Sequence, residues 1–110
     1  MTFDEYQKQA ITTALPIDGD TGDFMYRTLG LANEAGEVAG KVKKILRDKG
    51  GKLSEADRAD IVKEMGDVLW YLQALADYLG VTLEQVAETN LEKVLGRKAR
   101  GTIQGSGDNR

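Results

Sequence analysis

The chain has 110 residues, with 15 Lys and Arg against 18 Asp and Glu, 1 Pro, no Cys and no His. That length sets one domain, the 41% apolar content supplies a core and argues against disorder, and the absence of Cys and His excludes disulfides, thiolate metal sites, Ser-His hydrolases and histidine bases. Carboxylates, Lys, Tyr and water are left for any chemistry, a net charge of −3 argues against a nucleic-acid partner, and the lack of a long apolar run or basic leader predicts a cytoplasmic protein with no membrane segment.

Three patterns mark helix starts, because a Ser or Thr hydroxyl and a side chain three residues later cap each other's backbone N–H groups. They are Thr2 to Glu5, Ser54 to Asp57 and Thr82 to Gln85. With a turn-rich stretch at 16–23 and a stop at Gly50-Gly51, they predict four helices over about 2–15, 24–49, 54–79 and 82–99. No strand alternation appears, so the fold class is all-α, with residues 1–100 as the helical domain and 101–110 as a Gly-rich arm. Asp18, Asp20 and Asp23 resemble the opening of a calcium loop, but Leu29 stands where such a loop needs its bidentate Glu, so the stretch reads as a helix-start turn.

The second and third helices carry the same pattern, Glu34-Ala35-Gly36-Glu37-Val38 and Glu64-Met65-Gly66-Asp67-Val68. On each helix the first Glu borders the apolar arc and the second acid stands outside it, so antiparallel packing would bring the four carboxylates together. Four converging negative charges repel one another and call for a cation. Oxygen ligands suit a hard divalent ion, Mg²⁺ first and Mn²⁺ as a substitute. The competing reading is that the acids are ordinary solvated helix charges paired with Lys41 or Lys63. A mid-helix Gly costs about 1 kcal/mol relative to Ala, so Gly36 and Gly66 suggest close helix approach within the protomer or across a dimer seam.

These residues resemble the MazG-type nucleoside triphosphate pyrophosphohydrolases, an all-α family whose hallmark is Glu-x-x-Glu, a variable spacer, then Glu-x-x-Asp. The hallmark falls on Glu34, Glu37, Glu64 and Asp67, and Asn90-x-x-Lys93-x-x-x-Arg97 with the closing Gly105 to Arg110 extends the likeness to the end of the chain. One departure is Asn33, where many members carry another Glu. The resemblance implies a four-helix MazG-like bundle with a central antiparallel pair, completed by assembly into a homodimer or homotetramer. It also implies Mg²⁺-dependent hydrolysis of nucleoside or deoxynucleoside triphosphates between the α- and β-phosphates. Glu34, Glu37, Glu64 and Asp67 would be the metal-binding and catalytic residues.

Residues 91–110 carry a net charge of +3, from Lys93, Arg97, Lys98, Arg100 and Arg110 against Glu92 and Asp108. Cations on a different segment from the acids suit a site that grips a polyanion from two sides. Of the residues in this segment, the resemblance singles out Asn90, Lys93, Arg97 and Arg110 for substrate contacts, and helical spacing puts Trp70 and Tyr71 beside Asp67 for the base, sugar or phosphate. Two other functions compete with the enzyme: a helical oligomeric interaction module, and a metal-dependent nucleotide or alarmone binder with little turnover.

Overall fold

The computed structural model describes residues 1–110. Helix α1 (Phe3–Ala10) runs into a 3-10 turn (Ile11–Thr13), followed by α2 (Gly22–Lys49), α3 (Glu55–Tyr78) and α4 (Leu83–Arg100), with no strand anywhere. All three capping boxes are in place: Thr2 with Glu5, Ser54 with Asp57, and Thr82 with Gln85.

The first helix is shorter than the expected 2–15. Thr12 and Thr13 donate their hydroxyls to the carbonyls of Gln9 and Ala10, at 2.6 and 2.7 Å, and so draw the chain into a tighter turn. The residue before Pro16 is then biased away from helix. The second helix begins two residues early, at Gly22. Asp23 accepts the Ile17 N–H at 2.9 Å, so the acidic loop does serve a helix start.

Helices α2 and α3 form a long antiparallel hairpin, turned at Gly50 (φ 61°), a left-handed conformation that Gly adopts without strain. Beside this turn, Lys49 donates to Asp57 at 2.7 Å. That ion pair, with the Ser54 cap, holds the Asp57 carboxyl down at about 2.

Two side chains secure the open end of the hairpin, Arg27 between its two arms and Gln7 from α1. Arg27 donates to the Ala74 carbonyl at 2.6 Å and to Asp77 at 3.3 Å. Gln7 donates to the Gln73 carbonyl and accepts the Leu83 N–H, so one amide joins α1 to α3 and α4. The backbone of α4 touches α1 and α3 but does not approach α2.

Only Ile45, Gln73, Ala74, Ala76 and Leu83 are buried. The radius of gyration is 16.9 Å, against about 13 Å for a compact chain of this length. The surface, 8074 Å², exceeds by about 2,000 Å² what a compact monomer of this mass exposes. Much of the excess is apolar: a groove of about 740 Å³ runs along one side of the hairpin between Phe3, Val38, Val62, Met65, Leu69 and Leu72. Gly66 lies in that groove, and nothing within the chain comes within 4 Å of a Cβ built on Gly36 or Gly66. Close approach inside the protomer therefore does not explain these glycines.

Candidate functional site

On the face of the hairpin that carries the acid pairs, Glu34 from α2 meets Glu64 and Asp67 from α3, with one carboxylate oxygen of each lying within 4.8 Å of the others. A spacing of three residues from Glu64 to Asp67 puts both acids on one helix face, and the antiparallel partner brings Glu34 opposite them. Glu37 lies outside this trio, although its charge still reaches Glu34.

The Glu34 carboxyl is raised above the ordinary range, first by removal from water and then by the charges of Asp67, Glu64 and Glu37. All three are hard oxygen donors, a set whose chemistry would suit a Mg²⁺-class cation.

Beside the acids lies a cleft of about 380 Å³ lined by Thr13, Glu34, Asp67, Trp70 and Tyr71. Trp70 donates its indole N–H to the Thr13 hydroxyl at 2.9 Å, which fixes the ring against the 3-10 turn. Trp70 and Tyr71 meet edge to face at 4.9 Å, and Tyr26 tilts against Tyr71 at 6.1 Å. The Tyr71 hydroxyl is pushed up to about 12, first by the Tyr26 hydroxyl beside it, then by burial and by the Glu34 and Asp67 charges. Tyr6, on α1, is also raised, by burial and then by Asp67. Tyr78, by contrast, stacks on Phe24 at 5.2 Å, away from the cleft.

The expected cations are placed elsewhere in the protomer. Lys93 and Arg97 both reach the Asp108 carboxylate, at 3.5 and 3.4 Å, and lower its pKa. Arg110 donates to the carbonyls of Thr102, Ile103 and Gly107, while its own carbonyl oxygen accepts from Arg100 and Thr102. The arm is thus folded back on its final residue. Asn90 is exposed on α4, and none of these side chains lines the acid cleft of its own chain.

Thr13, Tyr6 and Tyr26 were not expected at the site. Thr13 and Tyr6 come from α1 and the turn after it, which the hairpin pattern does not reach, whereas Tyr26 stands on α2 two turns before Glu34. Gly30 does carry a readable signal, a mid-helix Gly one turn before Glu34: a Cβ there would collide with the Tyr71 ring. Gly30→Ala gains about 1 kcal/mol of helix propensity but overpacks the ring, at a cost of about 1 to 3 kcal/mol. The net result should be a lower melting temperature and a changed near-UV circular dichroism spectrum; an unchanged spectrum with a higher melting temperature would show that Tyr71 is not held by this contact.

The fold and its site define an all-α protein with a carboxylate cluster of metal-ligating geometry beside an aromatic cleft. Residues 26–101 match the MazG nucleotide pyrophosphohydrolase domain, and the chain belongs to that family. It is 51% identical, over the full length of both chains, to a protein of Mycobacterium phage L5 named "Gene 37 protein". It is also 40% identical over 73 residues to the Bacillus subtilis (strain 168) protein "Uncharacterized protein YvdC", covering 61% of this chain and 68% of that one. No solved structure matches the chain. None of its helices is long and apolar enough to cross a membrane.

Proposed function

We propose that the chain hydrolyses nucleoside or deoxynucleoside triphosphates between the α- and β-phosphates, giving the monophosphate and pyrophosphate, with Mg²⁺ as the natural ion and Mn²⁺ able to replace it. The convergence of Glu34, Glu64 and Asp67 at the mouth of the Trp70–Tyr71 cleft carries this reading. Glu34, Glu64 and Asp67 would hold the ion, which would supply charge neutralisation for the triphosphate and acidification of a water, and Glu37 adds negative charge from one turn away. Trp70 and Tyr71 supply a face on which a base or sugar packs, and the Thr13 contact keeps that face in place. A purely structural helical module leaves the cost of gathering three acids unexplained.

The active unit is a homodimer or homotetramer. The excess surface of about 2,000 Å² per protomer and the apolar groove supply the interface. Assembly would also have to bring Asn90, Lys93, Arg97 and Arg110 to a substrate from a neighbouring copy, since none of them lines the acid cleft of its own chain. Incubation with individual triphosphates and Mg²⁺, with products resolved by chromatography, should yield monophosphate and pyrophosphate in equal amounts. Release of orthophosphate, or no turnover with any canonical or modified triphosphate, would remove the reading.

A further inference from the structure

The turn of the hairpin is strongly basic: residues 41–52 hold Lys41, Lys43, Lys44, Arg47, Lys49 and Lys52 against Asp48 alone, a net of +5 in a chain whose total is −3. Two of these cations share the face of the carboxylate cluster. Lys41 stands two helical turns beyond Glu34 and one beyond Glu37, and Lys44 stands two turns beyond Glu37, so both project on the acid side of α2. They line a cleft of about 190 Å³ with Lys49, Ile45, Asp48, Asp57 and Asp60.

Two of the three acids there are already engaged, Asp48 by Arg47 at 2.7 Å and Asp57 by Lys49 at 2.7 Å. Neither Lys41 nor Lys44 has a carboxylate partner within ion-pair distance. Lys93 and Arg97, by comparison, are held by Asp108.

Because α2 and α3 are antiparallel, the aromatic cleft beyond Asp67 and the lysine cleft beyond Glu37 lie at opposite ends of the carboxylate trio. One face of the hairpin therefore runs from aromatic to acidic to basic, and Glu34 to Lys44 covers about 15 Å of helix. We infer that Lys41 and Lys44 form a subsite for the β- and γ-phosphates, and hence for the pyrophosphate leaving group. The inference rests on the hydrolase reading for its substrate, and it fixes the substrate's direction: base toward Trp70 and Tyr71, terminal phosphate toward the hairpin turn. When the bond between the α-phosphorus and its bridging oxygen breaks, the electron pair stays with the β-phosphate oxygen. Two ammonium groups at that end take up the charge that the pyrophosphate carries away.

Binding of radiolabelled inorganic pyrophosphate with Mg²⁺, measured by equilibrium dialysis, tests the subsite without turnover. The Lys41→Gln/Lys44→Gln protein should bind pyrophosphate about tenfold or more weakly than the wild type, the scale of losing charge-assisted contacts. Lys43→Gln/Lys52→Gln, which removes the same charge from exposed positions outside the cleft, should bind within about twofold of wild type, since remote surface charges act weakly through salt. Equal weakening by both double variants, unchanged binding in Lys41→Gln/Lys44→Gln, or failure of the wild type to bind pyrophosphate overturns the inference, even if triphosphate hydrolysis proceeds. If the wild type hydrolyses nothing yet binds pyrophosphate through Lys41 and Lys44, the hydrolase reading falls and the subsite stands.

Discussion

Asp67→Asn should lower triphosphate turnover by at least about a hundredfold, the scale of removing one strong electrostatic contact to a transition state, and should leave the metal-free protein at least as stable as the wild type. Asp67 is the acid whose charge reaches furthest: it raises Glu34, Tyr71 and Tyr6. Its amide keeps the shape and removes the repulsion, so stability in chelator and activity should move in opposite directions. The sign of the pH effect follows from Glu34. A carboxyl raised in the folded state stabilises the fold at acidic pH, and that contribution is lost as pH rises through the raised value. Asp67 is the largest charge acting on Glu34, so in chelator the dependence of the Asp67→Asn melting temperature on pH should be flatter than that of the wild type. The wild-type melting temperature should rise on adding Mg²⁺, and that rise should shrink in the variant. Glu37→Gln, made outside the trio, should cost less activity than Asp67→Asn. An Asp67→Asn protein with the normal rate and the normal Mg²⁺ response would show that the acids do not act as one site.

The helix starts were legible because each capping box is a local device written within four residues, and Thr2, Ser54 and Thr82 need no distant partner to form it. The end of the first helix was not, since the hydroxyl bonds of Thr12 and Thr13 compete with helix by a margin that periodicity does not register. The paired acid motifs placed four carboxylates on the inner hairpin. Which of them touch depends on how each helix is rotated about its axis, and a rotation that gathers Glu34, Glu64 and Asp67 leaves Glu37 at the rim. Trp70 and Tyr71 were legible beside Asp67 by helical spacing. Of their supports, Thr13 belongs to a turn with no periodic relation to α3, while Tyr26 lies on α2 two turns before Glu34. The C-terminal cations are the largest change of picture: their sequence motif set them against the acids, whereas the backbone of α4 carries them away from α2 and pairs two of them with Asp108.

Val62→Glu should convert the assembly to monomers. Val62 lines the apolar groove and is 60% exposed in the protomer, so the change meets no packing inside the chain, and Glu is a better helix former than Val. In an assembled groove the same carboxylate would be buried among Met65, Leu69 and Leu72 with no cation beside it. An unpaired buried charge costs several kcal/mol, enough to weaken association by about a hundredfold or more. Sedimentation velocity across a dilution series should show the wild type as a dimer or tetramer and Val62→Glu at the protomer mass. The variant's melting temperature should fall because its exposed apolar surface is no longer covered. Turnover should fall with it if Lys93 and Arg97 reach the acid cleft from a neighbouring copy, and Mg²⁺ binding to the Glu34–Glu64–Asp67 trio should survive, since all three acids belong to one hairpin. A Val62→Glu protein that sediments and melts like the wild type would place the subunit interface elsewhere. One that is monomeric yet fully active would show that each chain completes its own site, with Lys41 and Lys44 among the cations on the acid-bearing face that have no ion-pair partner.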